Sequence, residues 1–155
     1  MCHHCWDLLT ISNVASFAQG APDYCHTTGL TGIDFDYEAF TFAAQETLVG
    51  NFIKEFKAID PKSQTSLCVN AGFGPNYPWQ AAAKNVLDAA TISSVKNAVD
   101  SLYIMSYYNP IQDEQNWVNG WSKWVEQTYG FTLARVSVGI DDFDAHAYDP
   151  VVFAA

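Results

Sequence analysis

Three carboxylic acids alternate along one short segment, Thr31-Gly-Ile-Asp34-Phe-Asp36-Tyr-Glu38. On a β-strand successive side chains point to opposite faces. Asp34, Asp36 and Glu38 therefore share one face, and Ile33, Phe35 and Tyr37 share the other. Like charges a few ångströms apart in a low dielectric do not all stay ionised, so at least one of these carboxyls holds its proton. A carboxylic acid kept protonated near neutral pH is the group that delivers a proton to a leaving-group oxygen. Glu38 sits at the C-terminal end of the segment, where parallel α/β folds carry their chemistry, with Asp36 and Asp34 behind it. A solvated edge strand would also carry acids on its wet face, but the apolar opposite face favours a strand covered on both sides. A calcium loop with alternating acids needs a glycine for its sharp turn, and none lies between Asp34 and Glu38.

Four short segments read as the strands that position these acids: Thr31–Glu38, Ser66–Gly72, Ser101–Tyr107 and Arg135–Gly139. Each is rich in β-branched, aromatic or aliphatic residues. They start at residues 31, 66, 101 and 135, a beat of about 35 residues. Helical patterns fill the intervals. Leu48, Phe52, Phe56 and Ile59 form one apolar face within Glu46–Asp60, which Pro61 ends. Gln80–Val99 is Ala-rich, with a potential break at Thr91-Ile-Ser-Ser94. Asp113–Tyr129 has Asp113 as N-cap and Gly130 as stop, and Ile11–Gln19 leads into the first strand. Strand and helix alternating at a steady period predict βα units and a parallel sheet. Eight such beats would give a (β/α)8 barrel of ordinary size. Four beats give either an open α/β sheet or about half of a TIM barrel.

The chain has 155 residues, 49% of them hydrophobic, which suits a single domain over residues 1–155. Seventeen acidic residues against seven basic ones give a net charge of −10. Such a charge repels nucleic acid and anionic membranes, and leaves a neutral substrate unopposed. No apolar run is long enough to span a bilayer, and no signal peptide is visible in Met1-Cys-His-His-Cys-Trp6. Cys2, His3, His4 and Cys5 could supply half a zinc site. Four ligands in consecutive positions do not readily surround one ion, and only Cys25-His26 follows as a neighbouring pair. No metal and no cofactor are expected. The four cysteines, Cys2, Cys5, Cys25 and Cys68, leave the redox compartment open.

The acidic segment resembles the signature D-G-x-D-x-D-x-E of the family-18 glycoside hydrolases, chitinases and endo-β-N-acetylglucosaminidases, which lies on the fourth strand of a TIM barrel. Gly32, Asp34, Asp36 and Glu38 match, while Thr31 stands where the family has aspartate. Tyr103-Ile-Met105-Ser-Tyr107-Tyr108-Asn109 resembles the sixth strand, which ends M-x-Y-D or a variant. Leu67–Pro75 resembles the fifth and Arg135–Gly139 the seventh. The pieces follow in family order, so the resemblance implies strands four to seven of the barrel.

The resemblance also implies substrate-assisted retention, with no protein nucleophile. Glu38 would protonate the glycosidic oxygen, Asp36 would hold the 2-acetamido N–H, Asp34 would tune Asp36, and Tyr107 would donate to the acetamido oxygen. Met105, Tyr108 and Asn109 join as substrate-binding candidates; Asp142, which with Asp141 and Asp144 follows the last strand, could bond sugar hydroxyls or be a solvated acid. The implied partner is an oligo- or polysaccharide containing N-acetylglucosamine, and the implied location is secreted.

Tyr77 and Trp79, in the loop after the second strand, could stack on a sugar or anchor that loop. Trp117, Trp121 and Trp124 are spaced i, i+4, i+7 and read as a packing stripe. Two further readings compete with the enzyme: a carbohydrate-binding protein on the same fold, and a truncated chain inactive alone. Half a barrel leaves two unpaired strand edges, which favour self-association.

Overall fold

A computed structural model describes residues 9–36, 43–94, 96–106 and 111–140. Its framework is a four-stranded sheet of β1 (Gly32–Asp36), β2 (Gln64–Asn70), β5 (Ser101–Ser106) and β6 (Val136–Ile140). The strands lie side by side in chain order, and every pairing between them is parallel. Helix α2 (Ala43–Ile59) links β1 to β2, α4 (Ile111–Tyr129) links β5 to β6, and α1 (Val14–Thr28) precedes β1. Between β2 and β5 run α3 (Trp79–Ala89) and a small antiparallel pair, β3 (Thr91–Ser93) with β4 (Lys96–Asn97). Among the described residues the architecture is thus α/β on a parallel sheet, as the 35-residue beat predicts.

The strand order decides where the core lies. All three crossovers step in the same direction, and one handedness then puts their helices on the same face. Phe35, Leu67, Val69, Leu102 and Ile104 point into that face and are buried. Val49 and Ile53 of α2, Val86 and Leu87 of α3, and Trp121 and Val125 of α4 close over them. Phe35 meets Phe52 edge-on at 5.5 Å between ring centroids. The buried Trp121 indole donates to the Ala71 carbonyl at 2.9 Å, so its one polar atom is satisfied. Trp117 and Trp124 flank it, partly buried against the core, as the stripe predicts.

Three helix expectations change. The first helix runs from Val14 to Thr28, well past Gln19 and through Pro22. Pro22 lacks the N–H that would bond the Ala18 carbonyl, but Ala18, Pro22 and Cys25 are all buried. Burial of that stripe outweighs the local break, and Gly29, with φ 72°, ends the helix instead. The Ala-rich stretch stops at Ala89 rather than Val99. Thr91 and Asn97 both reach the Leu87 carbonyl, at 2.9 and 2.7 Å, and turn the chain into the β3–β4 pair. Asp113 lies within the first turn of α4, not at its N-cap. Gly130 (φ 68°) stops α4 as expected.

The N-terminal ends of the strands are pinned by charge. Lys57, almost fully buried, donates from Nζ to Asp100 Oδ2 at 2.5 Å and to the Ser63 carbonyl at 2.6 Å. Asp100 also accepts from the Thr65 amide at 2.9 Å. Arg135 donates to the Asp100 and Val99 carbonyls at 2.6 and 2.5 Å, with its guanidinium over the Phe131 ring. These bonds join α2, β2, the entry to β5 and the entry to β6. They lie at the end of the sheet opposite to the one where its acids terminate.

Candidate functional site

Alternation along the strands puts a second set of residues on the face away from the helices: Asp34 and Asp36 of β1, Ser66 and Cys68 of β2, Tyr103 and Met105 of β5, and Gly139 of β6. That face is bare among the described residues. Asp34 is exposed there, Tyr103 is 43% exposed, and Ser66, Cys68 and Met105 are half-buried. Asp34, Ser66, Cys68, Tyr103, Met105 and Gly139 line a concavity of about 360 Å³. Met105 and Gly139 are register partners, and the missing side chain at Gly139 leaves the space beside Met105 open.

Asp34 and Ser66 are paired in the β1–β2 register, and the Ser66 hydroxyl donates to Asp34 Oδ1 at 2.5 Å. Partial burial between the strands pushes the Asp34 carboxyl above its ordinary range. The Ser66 bond pulls it back, and the negative charge of Asp36 pushes it up again, with a net rise. Asp36 is the last residue of β1, opposite Cys68.

The predicted site is thus described in part. Asp34, Asp36 and Met105 share the bare face. Glu38, Tyr107, Tyr108, Asn109 and Asp142 lie outside the described residues. Tyr77 and Trp79 are placed elsewhere. Tyr77 meets Trp117 edge-on at 5.3 Å, and a Cβ on Gly72 would press into its ring at 2.7 Å. Trp79 packs partly buried against the core, beside Leu67 and Val69 on the helix-covered side of β2. Neither lines the concavity, and both contacts are those of a loop anchor. Ser66, Cys68 and Tyr103 are the residues that sequence reasoning missed. The alternation applied to Thr31–Glu38 finds them when it is carried across the neighbouring strands.

His26, Asp60 and Ser63 come together, His26 Nε2 to Asp60 Oδ2 at 2.9 Å and Ser63 Oγ to the same oxygen at 2.5 Å. In a nucleophilic triad the histidine sits between the other two; here the aspartate does, so Ser63 has no base. The Ser63 hydroxyl foremost, with the Lys62 and Ser63 amides and His26, outweighs burial and holds the Asp60 carboxyl down at about 2. Among the described residues, no three His, Cys, Asp or Glu side chains gather as a metal site. The Cys2–Cys5 cluster lies outside those residues, while Cys25 is a buried free thiol. No described helix is long and apolar enough to cross a membrane.

No protein-family model and no curated protein matches the chain.

Proposed function

We propose that this chain is the acid-bearing half of a (β/α)8 glycoside hydrolase of the family-18 kind, acting on β-1,4-linked N-acetylglucosamine in chitin, chito-oligosaccharides or the chitobiose core of N-glycans. One observation carries the reading: Asp34 and Asp36 stand on the face of a parallel sheet that no described helix covers, whereas the described helices pack against its other face. An open parallel sheet is ordinarily covered by helices on both sides. A sheet wound in one direction, with helices on one side only, has the arrangement that barrel closure requires. Closure would turn the bare face inward and crowd its carboxyls together.

The chemistry follows from that crowding. Glu38 gives its proton to the glycosidic oxygen as the bond to the anomeric carbon breaks. The 2-acetamido oxygen of the substrate attacks that carbon and forms a cyclic oxazolinium. Asp36 accepts a hydrogen bond from the acetamido N–H, and Tyr107 donates one to the acetamido oxygen. The positive charge of the intermediate is stabilised by the row of carboxylates. Water then attacks the anomeric carbon and returns a proton to Glu38, with retention. Met105, Tyr108, Asn109 and Asp142 would contact the sugar, and Gly139 leaves room for it.

The outer edge of β1, on which no described strand pairs, supports the same reading. Beside it runs an apolar groove of about 730 Å³, walled by Phe17, Tyr24, Leu30, Ile33, Phe35 and Phe52. A further βα unit, or a second copy, would seat its strand on that edge and its helix against α1. Hydrolysis of a fluorogenic chitobioside tests the proposal: turnover that disappears in Glu38→Gln supports it. Sugar binding without turnover would replace it with a lectin, and neither activity would replace it with the competing reading, a fragment inactive alone.

A further inference from the structure

We propose that Ser66 is a positioning residue for the acid row: its hydroxyl, directly across the β1–β2 register from Asp34, holds that carboxylate in one orientation on the bare face. The geometry is specific. Ser66 and Asp34 are paired residues on adjacent parallel strands, and their side chains leave the sheet on the same side. The 2.5 Å separation is that of a short, charge-assisted O–H···O bond. An ionised carboxylate only accepts, so the single hydroxyl hydrogen is committed to Asp34. The strand floor fixes the Ser66 backbone on both sides, through Asp34 on β1 and Ser101 on β5. Asp34 is thereby tied to the rigid centre of the sheet rather than to its free edge strand.

Two effects follow for the neighbouring acids. The bond favours the charged form of Asp34 against the burial and the Asp36 charge that oppose it. A fixed negative charge two residues before Asp36 then bears on that carboxyl, the group that would hold the acetamido N–H. The part of Ser66 in catalysis rests on the hydrolase reading; the clamp itself does not.

The test compares the native chain with Ser66→Ala and Ser66→Thr. The Asp34 carboxyl carbon is followed by NMR through an acid titration, and turnover of a fluorogenic chitobioside is measured across pH. Ser66→Ala is expected to move the Asp34 midpoint upward and to lower kcat about tenfold, the worth of one hydrogen bond to a charged group. Ser66→Thr, which keeps the hydroxyl, is expected to restore both. In the native chain the Ser66 Cβ resonance should shift as Asp34 titrates, a measurement that needs no variant to fold. An Asp34 midpoint unmoved in Ser66→Ala, or a Ser66 Cβ that does not follow the Asp34 titration, would overturn the clamp. A shifted midpoint with unchanged kcat would overturn its role in the reaction. If the native chain turns over no substrate, the hydrolase reading fails while the titration still decides the clamp.

Discussion

Gly32 and Gln64 meet at the first rung of the β1–β2 ladder, so closely that a Cβ on Gly32 would overlap the Gln64 backbone carbonyl. The glycine of the acidic segment thus has a packing reason independent of chemistry. Because the obstacle is backbone, no side chain can swing aside to make room. Gly32→Ala is expected to push β1 away from β2 and to destabilise the chain by about 1–3 kcal/mol, the usual range for overpacking. Urea unfolding followed by circular dichroism measures this, and a loss below about 0.5 kcal/mol would contradict the close approach.

Lys57 and Asp100 join the ends of α2 and β5. Removing the ammonium leaves Asp100 with the Thr65 amide but strips the buried Ser63 carbonyl of a donor. Lys57→Met is expected to cost about 2–3 kcal/mol of stability, tempered by the partial exposure of Asp100. Because the network lies at the end of the sheet away from the acids, the folded fraction should keep native kcat. Unfolding curves paired with active-site titration separate the two effects, and a variant as stable as the native chain would refute the network.

Asp60 gives the acid limb of the stability profile. Its folded carboxyl titrates at about 2, held down first by the Ser63 hydroxyl, against about 4 for an unfolded aspartate. Above that unfolded value its contribution is fully present. As pH falls from about 4 through 2, the unfolded chain takes up a proton before the folded one does, and the contribution is lost. Asp60→Asn should flatten the stability curve over that window. Thermal melts between pH 2 and pH 7 read this directly, and an unaltered acid limb would contradict it.

Much of this fold is legible in the sequence because parallel strands are read from short apolar runs and their spacing. Phe35, Leu67, Leu102 and Val136 fall in such runs, and the helices between them leave no short hairpin as an alternative. The misread parts are those where distant contacts override local signals. Pro22 reads as a helix break, yet it lies inside a buried stripe of α1. The Ala-rich stretch stops at Ala89, close to the potential break at Thr91–Ser94, and the Asn97 amide that helps to end it lies ten residues from the Leu87 carbonyl it meets. For Trp79 the sequence leaves sugar stacking and loop anchoring both open, and only the fold shows it packed against the core beside the apolar side of β2. The acid row itself is legible from alternation alone. Alternation also puts Ser66 on the acids' face, but the rung that sets it opposite Asp34 appears only once the two strands pair.

On the proposed hydrolase function, Glu38, two residues after Asp36 in the chain, is the proton donor. The most direct measurement is the release of fluorophore from a chitobioside by the native chain and by Glu38→Gln at equal folded concentration. The claim predicts turnover in the first and a fall of about a thousandfold or more in the second, in line with the loss of a general acid. Equal rates from the two chains would contradict it.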